Sequence, residues 1–193
     1  MASRARQRIL DAAARLLRER GISRLTTREI ARAADAAEGS ITKNFGGKLG
    51  LLIALLSREL PETKAWHEAL TPQGERPMRS VLIDLIDRGI DYYAASLPLV
   101  AGAAADRELF DEYRSVNRDN GTGPHLPVNL IAAYLAECQE SGLLPGGDPY
   151  AMALALCGAA QLQAYTEFIG DPKTLKGSRA ERVSAVADLL LAR

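Results

Sequence analysis

Apolar residues recur every three or four positions along most of the chain, and no segment alternates apolar and polar residues as a strand would. Near the N-terminus, Ile9, Ala13 and Leu16 fall on one helix face. Gly21 follows them and suits a left-handed helix end. Similar stripes continue to the C-terminus. The pattern therefore predicts an all-α protein.

Two more short helices are predicted directly after the first. Thr26 and Glu29 have the spacing of a capping box, which predicts a helix over residues 27–34. A third helix is predicted over residues 38–44, with Ile41 and Phe45 facing back onto the first two. Two helices joined by a short turn and braced by a preceding helix are typical of a helix-turn-helix module.

Residues 8–48 resemble the N-terminal part of the TetR family of bacterial transcriptional repressors. The family pattern combines R-x-x-I-L-x-A-A-x-x-L-x-x-x-x-G with L-T-x-x-x-I-A and G-x-S/T-L/I-Y-x-H-F-x-x-K. The matching positions are Arg6 or Arg8, Ile9, Leu10, Ala12, Ala13, Leu16, Gly21, Leu25, Thr26, Ile30, Ala31, Gly39, Ser40, Ile41, Phe45, Lys48 and Leu51. The resemblance implies a helix-turn-helix DNA-binding domain over residues 1–48. It also implies a helical ligand-binding and dimerisation domain over residues 49–193.

Four positions depart from the family pattern. The turn has Asp35 where Gly is usual, and Asp accepts left-handed backbone better than most residues. Ala37 replaces the N-cap Ser of the third helix and removes a cap that contributes about 1 kcal/mol. Thr42 and Asn44 stand where the family has Tyr and His. These departures leave the fold intact and bear on the DNA contacts and the operator sequence.

Polar residues on the second and third helices are the candidates for DNA contact. Hydroxyls, amides, lysines and helix N-termini meet phosphates, which assigns phosphate contacts to Thr27, Ser40, Thr42, Lys43, Asn44 and Lys48. The candidates for base edges are Arg28, Glu38 and Gly39, because Arg reads guanine bidentately and Glu accepts from a cytosine amine. For each of the two charged residues an alternative without base contact stays open. Arg28 could be only a solvent-exposed charge on its helix, and Glu38 could only interact with the dipole of the third helix.

The formal net charge of zero hides an asymmetry along the chain. Residues 1–48 contain 11 Lys and Arg against 5 Asp and Glu, a net charge of +6, so the remaining residues carry −6. A basic head on an acidic body favours DNA held at one end only. The alternative is a solvated, Arg-rich helix surface.

The remaining sequence predicts helices over residues 49–70, 78–96, 99–117, 128–141, 149–169 and 179–192, with a break near Gly102 and a loop over 119–127. Asp148 and the pair Ser178 and Glu181 supply start signals for the last two. In the TetR family these two helices pair with those of a second subunit. Residues 150–169 are apolar over more than one face, which fits a homodimer interface. A central helix of a monomeric bundle is the alternative.

The resemblance also implies a small-molecule pocket beyond residue 48. Residues expected on inward faces are the candidates to line it, namely Trp66, His67, Tyr92, Tyr93, Phe110, Tyr113, Tyr134, Gln161 and Tyr165. Plain core packing is the alternative for each of them. Because no basic cluster accompanies these residues, the predicted inducer is small and mostly apolar.

No enzyme, metal or cofactor signature is complete in the sequence. His67 and His125 are the only histidines, and a zinc-protease pattern beginning at His67 has Thr71 in place of its second histidine. We therefore expect no catalysis and no bound metal or cofactor. Cys138 and Cys157 lack C-x-x-C spacing and are predicted to be structural thiols, with redox sensing as the alternative. No apolar run reaches about 18 residues, which predicts a cytoplasmic protein without a membrane partner.

These patterns predict a ligand-responsive transcriptional regulator, most simply a repressor. It would bind a palindromic double-stranded DNA operator as a homodimer and release it when a small-molecule inducer binds. An activator is the alternative within the same class. A helical small-molecule or partner-binding protein with a decayed DNA-binding head is the alternative from another class, favoured by Ala37, Thr42 and Asn44.

Overall fold

The computed structural model describes residues 4–20, 26–55, 61–70 and 76–192 of the 193-residue chain. Its helices are α1 (Arg4–Arg20), α2 (Thr27–Ala33), α3 (Gly39–Phe45), α4 (Lys48–Ala54), α5 (Pro61–Ala69), α6 (Met78–Ala104), α7 (Arg107–Asn120), α8 (His125–Glu140), α9 (Pro149–Ile169) and α10 (Arg179–Leu191). No strand occurs within these ranges, and the all-α prediction is confirmed. None of the described helices is long and apolar enough to cross a bilayer.

The chain divides into two compact units. Unit 1 comprises Met1–Lys64 and Ala95–Gly121, and unit 2 comprises Ala65–Ala94 and Thr122–Arg193. Helices α5 and α6 contribute residues to both units. No division between these two units falls at residue 48, and the functional boundary predicted there stays a prediction.

Unit 1 is built around one apolar core. The face predicted for α1 is buried, and Ile30 of α2 and Ile41 of α3 pack into the same cluster. The later helices of the unit add Leu51, Leu52, Leu55, Leu99, Ala103 and Leu109. Since burying one such aliphatic side chain contributes roughly 1.5–3 kcal/mol, this cluster holds the short helices in place.

Unit 2 is centred on α9, which lies against α8 and α10. The stripe predicted for α6 is buried, with Leu82, Leu85 and Ile90 among its members. The inner face of α9 consists largely of small residues, and Gly89 of α6 comes close to Ala160 of α9. Small side chains on both helices permit this close approach.

The predicted end of α6 is wrong. The helix continues to Ala104 instead of ending near residue 96, and it runs through Pro98 and Gly102 without a break. Leu99 and Ala103 in this extension are buried in the unit 1 core, which offsets the helix-breaking tendency of proline and glycine. The chain breaks instead at Asp106, whose side chain accepts a hydrogen bond from a backbone amide and caps α7.

The loop predicted over residues 119–127 is also too long. α7 ends at Asn120 with left-handed Gly121 behind it, and α8 begins at His125. Pro127 therefore lies in the first turn of α8, where its missing amide proton costs nothing. A proline cluster marks a helix start here rather than a loop.

The helix start signals are confirmed. Thr26 and Glu29 form the predicted capping box, and Ser178 and Glu181 form the second one. Asp148 caps α9 with its side chain. Gly21, where the first helix is expected to end, and Leu25 of the family pattern lie outside the described residues. Residues 56–60, within the helix expected over 49–70, also lie outside them.

Both cysteines are buried and unbridged. Burial raises the pKa of Cys157 to about 11, and it also raises the pKa of Cys138. Both thiols therefore stay protonated at neutral pH and are poor nucleophiles.

The corner between α3 and α4 depends on Gly50. A Cβ at this position would lie 1.6 Å from the backbone carbonyl oxygen of Phe45. We expect Gly50→Ala to lower the free energy of unfolding by at least about 3 kcal/mol, measured by urea denaturation. Gly158→Ala in α9 is the control, because no atom lies within 4 Å of an added Cβ there. Equal losses for the two variants would contradict this account of the corner.

Candidate nucleic-acid interface

The turn between α2 and α3 contains a left-handed residue. Asp35 has φ of +48°, as its position in the predicted turn requires. The turn is closed by a hydrogen bond of 3.0 Å from the Ala36 amide to the Ala31 carbonyl oxygen. The Asp35 carboxylate accepts from Nη1 of Arg8 at 3.3 Å. The turn therefore forms without glycine, at the cost of a backbone conformation that most residues avoid.

Helix α3 begins without a side-chain cap. Its N-cap is Glu38, which has helical backbone angles and makes no capping hydrogen bond. The N-cap therefore lies one residue later than Ala37, the position expected from the sequence, and the expected absence of a side-chain cap is observed at Glu38. Ile41 is fully buried and anchors the helix to the unit 1 core, and Gly46 ends it in the left-handed conformation. The helix is therefore positioned by its buried face rather than by its ends.

A hydrogen bond links the starts of α2 and α3. Thr27 Oγ1 donates to Oε1 of Glu38 across 3.4 Å. Glu38 is exposed, so its carboxylate is held at the surface between the two helices. The sequence did not indicate this pair, because the two residues are brought together only by the turn.

The predicted DNA contacts differ in accessibility. Arg28, Glu38, Gly39, Thr42 and Lys43 are exposed, whereas Thr27, Ser40, Asn44 and Lys48 are half-buried. Nδ2 of Asn44 donates to the Ser40 carbonyl oxygen at 2.7 Å within α3. One of its two amide protons is therefore already used, and one remains for a phosphate.

Arg6 was not among the predicted contacts. Its guanidinium lies 4.9 Å from the ring centroid of Phe45 at the end of α3, a cation–π arrangement. This contact places a further positive charge beside α3. The only sequence signal for it was the pattern of basic residues on α1.

The residues predicted to bind ligand do not form one cluster. Trp66, Tyr92 and Tyr93 lie together in unit 2, with ring centroids 4.9–5.6 Å apart. Trp66 is 4% exposed, and its Nε1 donates to the Leu85 carbonyl oxygen at 2.8 Å. Burial raises the pKa of Tyr93 well above its usual value. Trp66 and Tyr93 are therefore core residues, whereas Tyr92 at the edge of the cluster is half-buried.

The other predicted ligand residues lie elsewhere. Phe110 and Tyr113 stack on each other within unit 1. Tyr134 of unit 2 is half-buried, and desolvation together with Cys138 raises its pKa to about 12.

Three of the candidates are not inward-facing as expected, because His67, Gln161 and Tyr165 are exposed. On α9 the helical period turns Gln161 outward and brings Gln163 inward. Gln163 is a buried polar residue that the sequence pattern does not indicate.

Comparisons with known proteins identify relatives of the N-terminal region. The family model described as bacterial regulatory proteins, tetR family, matches residues 9–55. An uncharacterized HTH-type transcriptional regulator, YvkB of Bacillus subtilis (strain 168), is 50% identical over 52 residues. That match covers 27% of this chain and 28% of the relative, so the chain spans less than a third of the relative's length in this match.

Solved structures are similar over nearly the whole chain. The fatty acid degradation regulator FadR from Bacillus halodurans has a TM-score of 0.67 at 22% identity and covers 100% of this chain and 96% of its own. A putative TetR-family regulator from Rhodococcus sp. has a TM-score of 0.69 at 18% identity, covering 98% and 100%. FadR from Bacillus subtilis, in complex with stearoyl-CoA, has a TM-score of 0.64 at 19% identity, covering 96% and 97%. These similarities show a shared fold.

The left-handed turn at Asp35 can be tested by a matched pair of variants. Asp35→Gly and Asp35→Ala both remove the exposed ion pair with Arg8. Only glycine adopts a positive φ without steric cost, so the glycine variant should unfold with a free energy about 1 kcal/mol higher than the alanine variant. Urea denaturation of both proteins measures the difference. An alanine variant as stable as the glycine variant would refute the strain at this turn.

Proposed function

We propose that the chain is a ligand-responsive transcriptional repressor of the TetR family of bacterial regulatory proteins, and that it binds a palindromic operator as a homodimer. One observation carries this proposal. The segment matched by the family model folds as a helix-turn-helix in which α3 buries Ile41 and exposes Thr42 and Lys43. Such a helix can enter a major groove without unfolding.

In the proposed complex α3 lies in the major groove and α2 crosses the DNA backbone. The residues proposed to meet phosphates are Thr27, Ser40, Thr42, Lys43, Asn44 and Lys48, and those proposed for base edges are Arg28, Glu38 and Gly39. Because the hydroxyl proton of Thr27 is donated to Glu38, Thr27 would meet a phosphate through its backbone N–H at the start of α2. The hydrogen bond from Thr27 supports base reading by Glu38, because it holds the carboxylate away from the α3 amides. If Glu38 only interacted with the dipole of α3, its carboxylate would not need to be held in this orientation.

The surface of α9 and α10 supports the proposed homodimer. One face of α9 is buried within unit 2, whereas the opposite face carries large apolar side chains that are exposed in the single chain. These are Leu154, Leu162, Tyr165, Phe168 and Ile169, and α10 adds Leu189 at 72% exposure. A second copy of the same surface would remove this apolar area from water. The operator half-sites would then lie about one DNA turn apart, roughly 34–36 Å.

We assign the release of DNA to a small, mostly apolar ligand bound by unit 2. The stearoyl-CoA complex of the Bacillus subtilis FadR structure supports a ligand with an apolar part. Among the predicted aromatic contacts, Tyr92 and Tyr134 are half-buried and remain accessible. Ligand and operator must weaken each other by the same factor, and a 100-fold effect corresponds to roughly 2.7 kcal/mol of coupling free energy.

A helical binding protein with a decayed DNA-binding head is the second candidate. The hydrogen bond from Asn44 back to its own helix favours it, because it removes one donor from the DNA-facing set. Selection of bound fragments from a random DNA library with the full-length protein separates the two candidates. Recovery of an inverted repeat supports the repressor, and recovery of no sequence at low salt supports the binding protein.

Lys48→Ala and Arg28→Ala should weaken DNA binding in different ways. Loss of a phosphate contact at Lys48 should weaken binding to all sequences alike and lower the slope of log K against log salt by about 1. Loss of Arg28 should relax the preference at one operator position by about 1–3 kcal/mol. Fluorescence anisotropy across salt concentrations and operator variants measures both. Lys173→Ala, on an exposed lysine beyond α9, is the control. An equal loss on every sequence for Arg28→Ala would exclude base reading by this residue.

A charge on the exposed face of α9 should disrupt the proposed dimer. Ala155→Glu places a carboxylate among the exposed apolar side chains, so we expect monomers in sedimentation experiments and DNA binding at least tenfold weaker. Ala101→Glu is the control, because Ala101 is equally an exposed helix alanine but belongs to unit 1. A monomeric wild-type protein that still binds the operator tightly would contradict the assembly.

A further inference from the structure

Arg6 is a charged residue at a position that continues the buried face of α1. Ile9, Leu10 and Ala13 follow it at helical spacing, and all three are buried. Arg6 itself is half-buried. An apolar residue would satisfy the packing at such a position, whereas an arginine buries its alkyl stem and brings its charged head to the surface. The charge of Arg6 is therefore not explained by the packing of α1.

The head of Arg6 lies against the last residue of α3. Its Cζ atom is 4.9 Å from the ring centroid of Phe45. Phe45 is half-buried and packs against the apolar cluster of unit 1, which fixes the position of its ring. A guanidinium that lies over an aromatic face is held in place by its plane, and this contact uses none of its five N–H donors. The ring of Phe45 therefore orients a positive charge at the end of α3.

A charge at the end of α3 lies where DNA phosphates come close in the proposed complex. An α-helix with its side chains is about 10–12 Å in diameter, and the major groove is about 12 Å wide. With α3 in the groove, groups at its flanks and ends are therefore near the bordering phosphates. The C-terminal end of a helix carries partial negative charge, which repels phosphate. Arg6 places a positive charge at this end of α3.

We propose that Arg6 is a DNA-binding residue whose guanidinium, oriented by Phe45, contacts a phosphate at the C-terminal end of α3. Arginine suits this role because its planar group can donate two parallel hydrogen bonds to phosphate oxygens. The inference rests on the DNA binding proposed above. It adds α1 to the helices that contact the operator.

A purely structural contact is the competing role for Arg6. In that case the stacked pair only joins α1 to the end of α3, and its loss would lower the free energy of unfolding. The salt dependence of DNA binding would not change. A phosphate contact does change it, because each phosphate that the protein neutralises releases counterions. The slope of log K against log salt therefore separates the two roles.

Fluorescence anisotropy with the full-length protein measures this slope. The probe is the labelled DNA pool that the wild-type protein retains from a random library of duplexes. Arg6→Met keeps an unbranched apolar stem and removes the charge. We expect it to lower the slope by about 0.9 for each bound protomer, which weakens binding about fivefold per protomer at about 0.15 M salt. Arg6→Lys keeps a positive charge and should restore most of the slope.

Arg15→Met is the matched control. Arg15 is exposed on the same helix, and about two and a half turns separate it from Arg6, so it lies on the opposite side of α1. Both variants remove one positive charge from unit 1, but only Arg6→Met removes it beside α3. Arg15→Met should leave the slope unchanged. Equal changes for the two variants, or an unchanged slope for Arg6→Met, would overturn the proposal.

Urea denaturation shows whether each variant is folded. If Arg6→Met does not fold, Arg6→Gln decides by the same slope, because glutamine keeps an uncharged polar head at the surface. A wild-type protein that binds no duplex DNA would overturn the proposed function, and this inference with it. A wild-type protein that binds DNA with a slope that does not depend on position 6 would overturn this inference alone.

Discussion

Helices α2 and α3 are seven residues long, and helices of that length are not stable alone in water. Their geometry depends on the apolar cluster of unit 1, into which each inserts a buried isoleucine, Ile30 and Ile41. The cluster also includes Leu99 and Ala103 from the last turns of α6. The helix-turn-helix is therefore held by side chains from far along the sequence, and its fold is a property of unit 1 as a whole.

Because the buried side chains hold these helices in place, the residues on the outer face of α2 and α3 are not needed for packing. Glu38 does not cap its helix, and Thr27 bonds to it from the neighbouring helix. The left-handed Asp35 and the missing cap at Ala37 weaken the turn locally, yet neither alters the buried contacts. Because the helix-turn-helix is stabilised by its buried residues, its surface residues can change without altering the fold. The fold is therefore intact although Thr42 and Asn44 stand where the family pattern has Tyr and His.

The sequence predicts most of what depends on local chemistry. Both capping boxes and the buried faces of α1 and α6 follow from residue type and spacing, and all are confirmed. Predictions failed where distant packing decides. Gly102 does not break α6, because its neighbours are buried in the unit 1 core. Gln161 and Gln163 are only two residues apart in α9. Because apolar residues occur on all sides of this helix, the sequence pattern does not indicate which side faces the core, and so does not indicate which glutamine is buried.

The same limit applies to charge. A net charge of −6 beyond residue 48 indicates an acidic body, which is unfavourable for an anionic ligand when taken as an average. Local pairing changes that conclusion. Asp188 pairs with Arg79, and Asp87 and Asp91 pair with Arg179, so much of the acidic charge is compensated at specific positions. The electrostatic potential at a given place in unit 2 therefore depends on which nearby charges are paired, rather than on the total charge.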